Sequence, residues 1–464
     1  MKNQAIKKKS EKDFPKALVV YIPETLDLDK LVSETPPTEK IPAFNTDCIA
    51  YILHLITYLA ARKKDFDYDA NNGFVPINKQ KLQSKIYHYK KYINYLLICG
   101  ILEEHKQYIT GQKSSGLKFT PAYRNCKIKR YGIKRKTLIK AILTSNNENK
   151  VSSNEKHPYL AKWWKTDLLS IDYASALKYL DDRLNIHLTH VYGKMEQHPF
   201  EKYNSAFMTI DKLHRREYLM KVDTTAGRFH TLLTQLDKEL RQYITFNGKK
   251  MVSIDLVNSQ PLLATALLDV DILINTPIIL ETIKRFNPRY HNSTTILVDS
   301  VGRRQKESDI LEYIKITSEG RYYEYFAEIL SKNGLIPANE GSRKFAKIAT
   351  FAAFYATNRS IHVMEAMQHF KHVFPNVYRI FYKIKEGGKQ THKALSITMQ
   401  AFEADLFLNK ICGRLNETNP EIPMFTIHDS VITTVEYQPI VEFIVKDELF
   451  KAIGVTPELN IEYW

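Results

Sequence analysis

Two short apolar runs, each delivering an aspartate at its end, constrain this chain more than any other feature. In KKMVSIDLVNSQP, Met251 to Ile254 form an apolar run and Asp255 follows. In IPMFTIHDSVITT, Met424 to Ile427 and Val431 to Thr434 flank His428-Asp429-Ser430. Runs of this length and composition, bounded by polar turns, read as strands. The second reads as a hairpin that thrusts a carboxylate out of a sheet. One aspartate beside a strand is ordinary and usually structural. Two on adjacent strands can share a pair of magnesium ions about 3.5–4 Å apart, the arrangement that serves in-line phosphoryl displacement.

Between these runs lies RKFAKIATFAAFYATN, where Arg343, Lys347, Phe351 and Tyr355 recur every four residues. That spacing predicts one slowly drifting stripe of a single helix. A core stripe accounts for the aromatics, but it accounts poorly for two cations on the same face. A triphosphate would meet the cations, with a base and sugar along the rings. No P-loop, G-x-G-x-x-G or H-E-x-x-H motif occurs.

Composition narrows the classes. The 464 residues carry 67 Lys and Arg against 51 Asp and Glu, a net charge of +16. This excess suits a partner that is a polyanion, nucleic acid first. With 44% hydrophobic and 25% charged residues, wholesale disorder is excluded and two or three domains are expected. Cys48, Cys99, Cys126 and Cys412 show no C-x-x-C spacing, which argues against a disulfide framework or a cysteine zinc site and fits a cytoplasmic location. The basic opening MKNQAIKKKSEKDF has no apolar secretory core, and no run reaches membrane-spanning length, so no membrane partner is expected.

Residues 1–43 are polar and Lys-rich and are read as a disordered basic tail or arm. From 44 to 125, three helical patterns (the first DCIAYILHLITYLAAR) precede two alternating runs around a Gly/Ser-rich turn. This order resembles a winged helix-turn-helix, with a recognition helix near Tyr87 to Cys99 bearing His88, Lys90 and Lys91, and a wing bearing Lys106, Lys113 and Lys118. A module that only packs on a neighbour or binds protein is the alternative. Residues 126–156, with CKIKRYGIKRK and then SNNENKVSSNEK, read as a basic linker that either tracks phosphates or is simply solvated, its Asn/Ser-rich end marking a domain boundary.

Taken together, the segments of the C-terminal part resemble the polymerase motifs of the family A (DNA polymerase I-like) DNA polymerases and of the related single-subunit phage-type RNA polymerases. Asp255 matches the first motif's aspartate, Arg343-Lys347-Tyr355 the finger-helix signature, and His428-Asp429 the third motif. TTAGRFHTLLTQL, with Gly227-Arg228, is similar to the primer-gripping T-x-x-G-R segment. MQAFEADLFLNKI, with Gln400, is similar to the M-Q-x-x-x-A-D helix beside the third motif. The resemblance implies an α+β right-hand polymerase over 157–464, with a thumb near 160–225, a palm near 226–262 and 390–464, and fingers near 263–389. It implies a nucleotidyltransferase whose two Mg²⁺ ions, replaceable by Mn²⁺, sit on Asp255, Asp429 and the backbone carbonyl of Leu256. Arg343 and Lys347 would hold the β- and γ-phosphates, and Lys347 would protonate the leaving pyrophosphate. Phe351 would face the sugar, and Tyr355 would close behind the templating base. Arg228, Gln400 and His428 would contact primer and template.

Four positions depart from the DNA enzymes' pattern, and the last three bear on sugar choice. Ala356 follows the finger tyrosine where glycine is usual, Ser430 stands where the DNA enzymes carry glutamate, Ser259 lies four residues after Asp255 as in the RNA enzymes, and Gln260 occupies the place of the glutamate that excludes the ribose 2′-hydroxyl. Glutamine keeps the length, removes the charge and offers an amide donor to that hydroxyl. The expectation is a small DNA-dependent DNA polymerase of a phage or mobile element, without proofreading, using primer, template and nucleoside triphosphates. Gln260→Glu is then expected to tighten its selection against ribonucleotides. An RNA polymerase or primer-synthesising polymerase with an RNA product is the alternative, and a non-catalytic DNA-binding replication initiator or regulator is the third reading.

Overall fold

The computed structural model describes residues 14–62, 73–105, 116–189, 198–336, 341–388 and 390–464. Contacts divide the chain into two units of mixed helix and strand. One holds residues 1–150, 171–217 and 236–243, and the other 151–170, 218–235 and 244–464. Thus 171–217 and 236–243 group with the N-terminal segment.

In the first unit, β1 (Leu18–Pro23), α1 (Leu28–Glu34), α2 (Thr46–Arg62), β2 (Val75–Pro76), α3 (Lys79–Gln83), α4 (Tyr89–Ile98), β3 (Leu102–His105), β4 (Gly116–Phe119) and β5 (Ile128–Ile133) follow in order. The expected three helices and hairpin are present, since β3 and β4 pair antiparallel from Leu102↔Phe119 to His105↔Gly116, with β2 on the other side of β4. Ile49, Ile52 and Leu53 of α2 and Tyr92, Ile93 and Leu96 of α4 bury one face of each helix in a common core. Lys106 and Lys113 lie outside the described residues.

Two readings are corrected in this unit. The tail is not wholly a tail: LVVYIP is β-branched and aromatic, and it pairs antiparallel with β5 along its whole length. Asp27 then caps α1 by accepting from the backbone N–H of Asp29 and Lys30. Residues 126–156 are not a linker either. They supply β5 and a helix from Lys136 to Lys156, whose Leu138 and Ile139 are buried in the same core. Arg130 of β5 is exposed yet donates from Nε to the buried Asp211 at 2.6 Å, so part of the charge of this stretch is engaged within the unit.

In the second unit, β6 (Leu169–Ile171), β7 (Lys221–Val222), β8 (Phe229–His230), β9 (Ile244–Phe246), β10 (Lys249–Leu256), β11 (Phe425–Ile427), β12 (Ser430–Thr434) and β13 (Leu459–Tyr463) are the strands. Among the described residues they form a sheet of order β11-β12-β10-β9-β6, with β13 also on β10, and a separate β7-β8 pair. β10 is the centre, and its Met251, Val252 and Ile254 are fully buried between neighbours on both sides. The remaining chain is mostly helical. It includes the helices Tyr322–Lys332, Ser342–Tyr355, Pro375–Lys385 and Lys393–Ala404 that surround the site described next. No described helix is long and apolar enough to cross a membrane.

Candidate active site and nucleic-acid face

The two aspartates meet as their strands require. β10 and β12 run antiparallel with Asp255 opposite Ser430, and the Leu256 N–H donates to the Asp429 carbonyl at 3.3 Å. β11 and β12 close on each other at Ile427↔Ser430, so His428 and Asp429 form a two-residue turn. The turn bends at His428, whose φ of 51° lies in the left-handed region. Ser430 donates from its hydroxyl to the Ile427 carbonyl at 2.9 Å and locks the hairpin from inside, a bond that an ionised glutamate, having no donor, could not make. Burial raises the Asp429 carboxyl above the usual aspartate range, with Ser259 and Arg228 pulling the other way. The same burial, aided by Arg228 and His230, pushes His428 down to about 4, so its ring is neutral at pH 7. Its buried Nδ1 has no hydrogen-bond partner among the described residues.

Among the described residues, no three or more His, Cys, Asp or Glu side chains gather into a metal cage. That is compatible with magnesium, which is usually held by one or two carboxylates and completed by water and substrate phosphates. The Asp255 and Asp429 carboxylates, on paired strands, and the Leu256 carbonyl are hard oxygen donors of the kind such an ion takes.

The cation and aromatic stripe is a surface, as its composition suggested. On the Ser342–Tyr355 helix, Phe345, Ala346, Ala349, Ala353 and Phe354 are buried, whereas Arg343 and Lys347 are exposed and Phe351 and Tyr355 half-buried. Arg343 is held by Glu324 at 2.7 Å, and the Lys347 ammonium lies 5.6 Å from the Phe351 ring centroid. Ala356 ends the helix in extended backbone (φ −73°, ψ 157°), so glycine's freedom is not needed there.

Arg228 is presented by a turn wrapped around one carboxylate. Asp223 accepts from the backbone N–H of Thr225, Ala226 and Arg228, at 2.8, 2.7 and 3.0 Å. Gly227, with φ of 76°, makes the reversal possible. Despite its burial, Asp223 is kept below the usual aspartate range by these N–H groups and His230.

The largest addition to the sequence reading is Glu403. It lies three residues beyond Gln400 on the Lys393–Ala404 helix and is only 2% exposed. One carboxylate oxygen accepts from Arg228 Nη2 at 2.8 Å, and the other from Gln260 Nε2 at 2.7 Å. The Tyr355 hydroxyl donates to Gln260 Oε1 at 3.5 Å, which completes a relay Arg228–Glu403–Gln260–Tyr355. Burial lifts the Glu403 carboxyl to about 7, with Arg228 lowering it and Asp429 raising it further. One of the two amide N–H bonds of Gln260 is therefore aimed at Glu403, and the other is left for a further acceptor. Glu403 lay within MQAFEADLFLNKI, but one glutamate in a helical run reads equally well as solvent-facing. Gln400 itself is half-buried on the same helix.

In the first unit, α4 offers a second face. Tyr87, Lys90, Asn94 and Ile98 are exposed at helical spacing. Lys91 is tied instead to Glu39 at 2.8 Å, and Lys118 to Glu103 at 2.9 Å.

No protein-family model matches the chain. A search of curated proteins also returns no match. Among solved structures, the chain is similar to the POL domain of Pol1 from M. smegmatis in complex with DNA primer-template and dNTP. The two share 11% identity over 70% of this chain and 73% of that one, with a TM-score of 0.40. So low a similarity assigns neither fold nor function, and the functional reading rests on the site itself.

Proposed function

We propose that the chain is a template-directed nucleotidyltransferase, a small DNA-dependent DNA polymerase that extends a primer without proofreading. The observation that carries this reading is the convergence of separately recognised segments. The Arg228 turn, the end of β10, the Ser342–Tyr355 helix and the Lys393–Ala404 helix are joined by the Arg228–Glu403–Gln260–Tyr355 relay. Asp429 lies close enough to Glu403 to raise its pKa, and Asp255 is in register beside that turn. Four of the separately recognised segments contribute a side chain to one relay and the fifth lies beside it, which supports the reading.

In this reading Arg343 and Lys347 bind the β- and γ-phosphates, and Phe351 and Tyr355 receive sugar and base. The 3′-hydroxyl of the primer loses its proton to solvent and attacks the α-phosphorus; the new phosphodiester bond forms as the bond from the α-phosphorus to the bridging oxygen breaks, and pyrophosphate leaves with a proton donated by Lys347. Magnesium on Asp255, Asp429 and the Leu256 carbonyl would supply activation of the hydroxyl and neutralisation of phosphate charge. Arg228, Gln400 and the neutral His428 contact the primer–template. The sheet around β10 is the palm of a right-hand architecture, with the Ser342–Tyr355 helix in its fingers. The first unit carries a winged helix-turn-helix whose α4 face binds duplex DNA, and a phage or mobile element is the fitting biological setting.

Gln260 and Ser430 favour a second reading, an RNA or primer-synthesising polymerase. Incorporation from each nucleotide pool on primed and unprimed DNA templates separates the two. Extension of a primer with deoxynucleotides is expected. Synthesis from ribonucleotides alone, without primer, would establish the second reading, and no templated incorporation at all would remove both.

A further inference from the structure

Resting on the polymerase reading, we propose that Glu403 is a positioning residue for sugar selection. From the Lys393–Ala404 helix it supplies the carboxylate that fixes the Gln260 amide and, through it, the Tyr355 hydroxyl. A glutamine side chain has a donor end and an acceptor end, and each makes one bond here that fixes the orientation of the amide. Nε2 donates to Glu403 at 2.7 Å, and Oε1 accepts from Tyr355 at 3.5 Å. Flipping the amide would turn its oxygen onto a buried carboxylate, so the planar group has one orientation. Glu403 is itself fixed, because its other oxygen accepts from Arg228 at 2.8 Å. At 2% exposure it has almost no water to replace a lost partner.

The consequence is an exchange of roles between two neighbouring positions. The carboxyl group behind this side of Tyr355 comes from residue 403, and residue 260 links it to the Tyr355 hydroxyl. Gln260→Glu alone would then set two carboxylates against each other in a buried space, instead of tightening selection as the sequence suggested. Moving the charge back, with Q260E and E403Q together, rebuilds a carboxylate–amide pair of opposite polarity.

The test is single-nucleotide extension of a primed template by wild type, E403Q, Q260E and Q260E/E403Q, reading the ratio of deoxy- to ribonucleotide efficiency for each. E403Q should lower that ratio at least about tenfold, the scale of one charge-assisted hydrogen bond. Q260E should depress extension with both sugars, and the double variant should recover to within about threefold of the wild-type ratio. A merely structural role for Glu403 would change extension with both sugars in parallel and leave their ratio fixed, which would overturn the proposal. So would Q260E alone sharpening selection without loss of extension. Should E403Q fold poorly, the comparison of Q260E with the double variant still decides, because recovery cannot arise from lost structure. Wild type that extends with neither sugar would refute the polymerase reading itself, before any variant is compared.

Discussion

In the proposed site, Asp429 is the residue at which function and stability pull in opposite directions. Its carboxyl is raised by burial, and Asp255 ends the neighbouring strand. The charge is therefore held where the fold alone disfavours it, in the manner of functional groups that carry strain. Asp429→Asn keeps the shape and removes the charge. It should abolish nucleotide incorporation while raising stability by about 0.5–2 kcal/mol, read as a higher midpoint in urea unfolding. Duplex affinity should stay near the wild-type value for D429N and for Asp255→Ala, because that affinity comes mainly from Lys and Arg contacts to phosphate. A D429N protein that extends primers normally would remove the two-carboxylate assignment.

At the scale of the element, the Ser342–Tyr355 helix was legible because its spacing alone separates two faces, and the cations explained which face stayed outward. Strand adjacency at Asp255 and Asp429 was legible for a similar reason, since apolar runs ending in acid must be placed at a sheet edge or turn. What escaped were partners supplied by other elements. Nothing local distinguishes Glu403 from a surface glutamate or Asp223 from any other loop acid, whereas the β-branched LVVYIP of β1 was a local strand signal passed over beside the Lys-rich residues before it. Two predictions belong here. Arg343 is engaged by Glu324, but the side chains are 63% and 49% exposed, so the pair is worth little and yields readily to a phosphate. Glu324→Gln should lower KM for the nucleoside triphosphate severalfold with kcat little changed, and an unchanged or higher KM would deny Arg343 a phosphate role. At the other end of the helix, Lys385 is 2% exposed and donates to the carbonyls of Ala353 and Ala356, at 2.6 and 3.1 Å. These are terminal carbonyls the helix cannot satisfy itself. Burial depresses Lys385 to about 7. Below that pH both folded and unfolded chains hold the proton. Between about 7 and the ordinary lysine value only the unfolded chain does, so stability rises with pH across that window. Unfolding of Lys385→Met in urea should lack this rise between pH 7 and pH 9, and an identical pH profile in both proteins would show that Lys385 does not titrate there.

At the scale of the whole molecule, the net charge of +16 says that polyanion binding is broad, while the structure says which cations are available for it. Of the lysines on α4 and its hairpin, Lys91 and Lys118 already have carboxylate partners, whereas Lys90 is exposed beside Tyr87 and Asn94. If this face enters a groove, Lys90 contacts phosphate and Asn94 is placed to read a base edge, since asparagine can pair bidentately with adenine. Each phosphate contact releases counterions, so binding weakens linearly in log affinity against log salt, with a slope set by the number of contacts. Lys90→Ala should therefore weaken binding equally on all duplex sequences and reduce the salt slope by about 1. Asn94→Ala should leave that slope unchanged and instead flatten any preference among sequences. Fluorescence anisotropy of the full chain on several duplexes, at a series of salt concentrations, measures both quantities. A Lys90→Ala protein with wild-type affinity and slope would show that α4 faces something other than DNA. The relay around Glu403 would be untouched by that result, because each residue in it belongs to the second unit.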